Sequence, residues 1–150
     1  MDLNEFEKLF LTLADFKKNR FHPLVSIKGE PQIGQNVFIG FLSEINAKDA
    51  KVVIGDDCDI ASFVAINCAD SHKKCIGLSK EIERSEIILE NNIFVGSHSF
   101  IKAGAHIGHH TVIAAGTIVE GVKIPPYSLV IGNPMQIKLG YYKKYFEKVS

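Results

Sequence analysis

The chain reads as an all-β solenoid of short stacked strands, on three observations: an aliphatic residue at every sixth position, small residues at set places between them, and helical periodicity confined to the two ends. From Leu89 onward the aliphatic positions are Leu89, Val95, Ile101, Ile107, Ile113 and Val119, all in one register. The residue after each is often small (Gly96, Gly108, Ala114), and the fourth is mostly small or β-branched (Ile93, Ser99, Ala105, Thr111, Thr117). A period of six fits neither a helix of about 3.6 residues per turn nor plain two-residue alternation. A short strand followed by a tight turn does fit it. Each hexad then sends one aliphatic side chain into a common interior, and three hexads close one coil. Such coils bury their faces only by stacking, at the roughly 4.8 Å spacing of neighbouring strands.

The same pattern occurs upstream in two other registers, Ile33, Ile39, Ile45 and then Ile54, Ile60, Ile66. Ile-Gly opens the hexads at Ile33, Ile39, Ile54 and Ile107. Between Ile45 and Ile54 the spacing is nine, so three extra residues sit in a turn there. Between Ile66 and Leu89 the spacing is 23, and residues 69–86, ADSHKKCIGLSKEIERSE, are polar and lack the hexad. That segment reads as a loop thrown out of the coil, and loops beyond about 12 to 15 residues usually serve function. Counting hexads gives about four coils and a terminal fragment. Before them, Leu3, Phe6, Leu9, Phe10, Leu13 and Phe16 recur at helical spacing, so residues 1–20 are assigned to an amphipathic helix. After Pro134, residues 135–150 are assigned to a short C-terminal helix. Both helices are expected to cover the solenoid ends, whose open edges invite aggregation. The whole is a single domain, with the β-helix over 30–134.

Composition narrows the function. Lys plus Arg and Asp plus Glu are 17 each, which removes the global charge argument for a nucleic acid partner. No stretch approaches the roughly 18 apolar residues of a membrane span, and the acidic start MDLNEFEKLF is unlike a secretory signal, so no membrane and a cytoplasmic location are expected. Cys58, Cys68 and Cys75 are odd in number and form no CxxC pair, which fits reduced thiols rather than a disulfide framework or a cysteine zinc site.

The hexads, the His-bearing loop, and the ending IAAGTIV with IPPYSLVIGNP together resemble the hexapeptide-repeat acyltransferases, and within them the sugar and xenobiotic O-acetyltransferases that include galactoside acetyltransferase. The resemblance covers about residues 30–138. It implies a left-handed parallel β-helix, a homotrimer with active sites between neighbouring subunits, and acetyl-CoA as the acyl donor. It also implies a general base at His72, in the loop, where the resembled family carries one.

Transfer from a thioester to a hydroxyl or amine needs a base, donors for the developing oxyanion, and a cradle for coenzyme A. The candidates for the base are His22, His72, His98, His106, His109 and His110, and His72 alone lies in the long loop. The last four fall inside hexads, at positions expected to point outward. Asp70 is placed to orient the imidazole. The triplet Gly96-Ser97-His98 is similar to one whose serine contacts coenzyme A, so the resemblance assigns Ser97 and, 18 residues on, Ala115 to the pantetheine arm. Lys123 and Lys138 are the candidates for its phosphates, with Lys143 and Lys144 more distant. The stretch before IPP is one residue longer than the family pattern, and Gln136 stands where a basic residue is common. Asn67, at the mouth of the loop, is the candidate for a sugar hydroxyl, and Phe63 or Tyr127 for stacking on a ring.

The main expectation is therefore acetyl transfer to a hydroxyl of a sugar or sugar derivative, by direct attack on the thioester and without a metal. The alternatives are N-acetylation of a nucleotide-linked amino sugar and a non-catalytic structural β-helix. Zinc carbonic anhydrases share the solenoid, but the positions of their ligand pattern hold Ser97 and Lys102 here, neither a suitable ligand.

Overall fold

The computed structural model describes residues 1–14, 17–21 and 24–147; Phe16 and His22 lie outside the described residues. Three parallel sheets form the sides of a triangular coil. The first joins β1 (Ser26–Gly29), β4 (Glu44–Ala47), β7 (Ala65–Asn67), β12 (Phe100–Lys102) and β15 (Ile118–Val119). The second joins β2 (Gln32–Ile33), β5 (Val52–Ile54), β10 (Ile87–Leu89), β13 (His106–Ile107) and β16 (Lys123–Ile124). The third joins β3 (Phe38–Ile39), β6 (Asp59–Ile60), β11 (Phe94–Val95), β14 (Val112–Ile113) and β17 (Leu129–Ile131), closed by the antiparallel β18 (Gln136–Lys138).

Strand register turns the hexads into vertical columns. Ile45, Ile66, Ile101 and Val119 stack in the first sheet, Ile54, Leu89, Ile107 and Ile124 in the second, Ile39, Ile60, Val95, Ile113 and Val130 in the third. All are buried, and together they form most of the core. The glycine after the aliphatic residue is explained by the approach of the next coil. A Cβ on Gly96 would stand 2.4 Å from the Ala115 nitrogen, and one on Gly108 2.4 Å from the Pro126 nitrogen. The small fourth position carries buried hydroxyls whose hydrogen bonds lace the coils together. Ser99 Oγ donates to the Ala114 carbonyl at 3.1 Å and accepts from the Thr117 amide at 3.3 Å.

The ends differ from expectation. The N-terminal helix α1 spans Leu3–Ala14, shorter than residues 1–20, and opens with reciprocal bonds between Asp2 and Glu5, a capping box. None of its residues is buried; Val25 and the partly buried Phe21 pack on the core at that end instead. At the other end residues 135–150 are not one helix. Met135 and Ile137 alternate with Gln136 and Lys138, so the segment first pairs as β18 with its apolar side on the core, and among its described residues only Lys143–Glu147 is helical. The unpaired edge of the third sheet made a strand the better use of that period-two pattern.

The loop 69–86 has structure of its own. Ala69–Asp70 (β8) pairs antiparallel with Glu83–Arg84 (β9), and the chain between them begins with one helical turn, His72–Cys75 (α2). The helix α3 is Lys143–Glu147. Among the described residues no helix is long and apolar enough to cross a membrane.

Candidate active site

The excursion leaves the coil where β7 ends, and the β8–β9 pair holds its two limbs together. Arg84 donates to the Lys48 carbonyl at 2.7 Å, Ser85 N to the Cys68 carbonyl at 3.0 Å, and Lys73 pairs with Glu83 at 2.7 Å. These contacts anchor the base of the loop to the solenoid wall. His72 opens α2. Its backbone N–H, unpaired as at any helix start, donates to Asp70 Oδ1 at 3.1 Å, and its ring Nδ1 bonds the same oxygen. A carboxylate only accepts, so Nδ1 carries the proton, and in the neutral ring Nε2 holds the lone pair. Nε2 has no partner among the described residues. The ring bond from His72, followed by its amide bond, holds the Asp70 carboxyl below its ordinary range.

His72 and Asp70 face a cavity of about 520 Å³ shared with Asn67, Cys75, Phe100, Lys102 and Ala103. Asn67 Oδ1 accepts from Asn46 Nδ2 and from the Ala69 amide, both at 3.0 Å, so what Asn67 offers the cavity is N–H donors. Lys102 and Phe100 were not candidates in the sequence, although the hexads contain the signal: Lys102 follows core Ile101 just as Asn67 follows core Ile66. Lys102 Nζ bonds Glu120 Oε2 at 2.7 Å, and this bond holds the ammonium above the ordinary lysine range.

The sequence candidates for coenzyme A do not all gather on one chain. Ser97 and Ala115 stack on successive coils at the corner between the third and first sheets, where the Gly116 amide donates to the Ser97 carbonyl at 2.9 Å. That corner is at the start of β12; the His72 cavity is at its end. Lys123 lies on the outer face of the second sheet, and Lys138 on β18 beside the Tyr141 ring.

The other described histidines are engaged elsewhere. His98 lies parallel to Phe63, centroids 4.9 Å apart, which uses the Phe63 ring within the chain. His106 Nε2 bonds Glu90 Oε1 at 2.8 Å, and Glu90 Oε2 accepts the His109 amide at 2.9 Å. Burial pushes the Glu90 carboxyl up, but those bonds outweigh it and leave the group below its ordinary range. His109 and His110 share a ring N···N contact of 2.9 Å under Tyr127, and Phe146 of α3 covers His110. Burial and the neighbouring His109 hold His110 below the usual imidazole range. Among the described residues no three His, Cys, Asp or Glu side chains assemble a metal-holding group.

Comparison with known proteins adds to this geometry. A family model described as the hexapeptide repeat of succinyl-transferase matches residues 32–68 and 86–120, either side of the loop. The chain is similar to galactoside O-acetyltransferase of Escherichia coli K12, 36% identical over 107 residues, covering 70% of this chain and 51% of the relative. It thus spans about half the length of that curated relative. It is also 26% identical over 106 residues to a 2,3,4,5-tetrahydropyridine-2,6-dicarboxylate N-succinyltransferase of Xylella fastidiosa, covering 61% of this chain and 35% of the relative. Among solved structures, a galactoside acetyltransferase in complex with coenzyme A superposes with a TM-score of 0.72 at 26% identity, over 97% of this chain and 76% of that one. The coil is the left-handed parallel β-helix.

Proposed function

Because the chain belongs to the hexapeptide-repeat acyltransferase family, we propose that it is an acetyl-CoA-dependent acetyltransferase acting on a hydroxyl of a sugar or sugar derivative. The observation that carries this reading is His72, held through Nδ1 by Asp70 at a roomy cavity, with Nε2 unclaimed among the described residues. His72 takes the acceptor hydroxyl proton as that oxygen attacks the thioester carbonyl. The tetrahedral adduct collapses, the C–S bond breaks, and the imidazolium returns the proton to the departing coenzyme A sulfur. No acyl-enzyme is required.

Asp70 sets the tautomer and ring orientation, and Asn67 donates to an acceptor oxygen. Ser97 and Ala115 line the path of the pantetheine arm, with Lys123 and Lys138 for the phosphates. Because the Ser97–Ala115 edge and the His72 cavity stand at opposite ends of β12, a second copy of the chain supplies the edge that faces His72, and a homotrimer closes three such sites.

The test is release of free coenzyme A from acetyl-CoA against a panel of neutral sugars, amino sugars and nucleotide-linked amino sugars, with mass spectrometry of the products and light scattering for the assembly. An O-acetylated sugar and a trimer are expected. Acetylation of amines alone would replace the hydroxyl acceptor, and no transfer to any acceptor would refute the reading.

A further inference from the structure

We propose that Lys102, braced by Glu120, is a positioning residue for His72: its ammonium stands on the wall beside the His72–Asp70 pair and opposes protonation of the imidazole. The proposal rests on the reading of His72 as the base. Lys102 ends β12 in register with Asn67 one coil away, and it lines the same cavity as Asp70 and His72. Glu120 follows Val119 as Lys102 follows Ile101, and those two core residues are in register, so the two charged side chains stack one coil apart. Their contact is 2.7 Å.

A lysine stem has four rotatable carbons and normally carries its ammonium into water. Here the bond to Glu120 keeps it at the wall. The ammonium and the Asp70 carboxylate are close enough for each to favour the other's charged form.

The chemistry makes use of such a cation. Asp70 holds the imidazole in place, but a carboxylate on Nδ1 also favours the imidazolium, and an imidazolium cannot accept a proton. A neighbouring positive charge works against that form and keeps more of the ring available as a base. Cys75 of α2 is the other titratable group lining the cavity; beside it α2 carries Lys73, paired with Glu83 of β9, and Lys74, and β9 carries Arg84, which bonds the Lys48 carbonyl. Lys73 and Lys102 each stand in an ion pair of 2.7 Å and each bears on Asp70, but Lys73 does not line the cavity. Lys102 is thus the lysine that lines the cavity itself.

The experiment is the pH profile of kcat/KM for acetyl transfer by the assembled protein. Lys102→Met removes the cation and is expected to move the acid limb to higher pH by about half a unit. Glu120→Gln leaves the cation uncompensated and is expected to move it to lower pH. Lys102→Arg, which keeps the charge, is expected to restore the wild-type limb. General loosening of the wall would not shift two variants in opposite directions. Circular dichroism checks each fold, and should Lys102→Met not fold, the Glu120→Gln and Lys102→Arg profiles still decide. An acid limb unmoved in the folded variants, or displaced in the same direction by both removals, overturns the role of Lys102. If His72→Ala retains full turnover, the reading of His72 itself falls and takes this inference with it.

Discussion

Among the described residues two histidine–carboxylate pairs form, and they differ in which ring nitrogen is committed. In the loop, Asp70 engages His72 Nδ1 and leaves Nε2 beside a cavity. On the coil wall, Glu90 engages His106 through Nε2, while its second oxygen holds the His109 amide. The first carboxylate serves one residue and orients a ring. The second spans two coils and fastens the corner that carries His109 and His110. A histidine and a carboxylate thus leave a ring nitrogen open on the excursion and form a clasp on the repeat, and the backbone that presents them decides which.

The largest expected separation between the pairs is in turnover. His72→Ala lowers kcat by about 10²-fold or more, the scale of a general base, whereas His106→Ala leaves it within about twofold, measured on one accepted sugar. Equal losses in both would erase the distinction. Asp70→Asn is expected to lower kcat about 10-fold, because the ring loses orientation but keeps its lone pair.

The thiols draw the same line between loop and coil. Cys58 and Cys68 are buried, with burial pushing the Cys58 thiol up, and Cys75 is exposed at the cavity. A maleimide should label one thiol per native chain, at Cys75, and block transfer by its bulk. Cys75→Ser should keep the chemical step within about 10-fold, and loss of that step would make the cysteine a covalent participant.

The smallest effect belongs to Glu90. Its carboxyl is depressed in the folded chain, so its contribution is present above the ordinary carboxylate range and is lost as pH falls through the folded value. Stability of wild type and Glu90→Gln, compared by thermal unfolding, should therefore differ at neutral pH and converge as the pH is lowered below about 4.

The core was legible because each hexad places one aliphatic residue in one of three columns, and Leu89 through Val119 announce those columns in turn. The ends were not, because covering an open edge depends on what that edge lacks. Met135 and Ile137 carry a period-two pattern too short to outweigh the helical composition of the last residues of the chain, and the unpaired β17 decided it. His72 and Asp70 stood out because they break the repeat, whereas Ser97 and Ala115 were reached only through the family resemblance. Lys102 and Glu120 conform to the repeat, so their meeting is visible only once the coils are stacked. The outward histidines were legible in direction but not in partner: Glu90 lies sixteen residues from His106 and touches it only across a coil.

The most direct test of the account is a calorimetric titration of the assembled protein with acetyl-CoA, which needs no knowledge of the acceptor. Saturable binding at close to one site per chain is the predicted result. No binding heat in correctly assembled protein, at any temperature tried, would contradict the acetyltransferase reading.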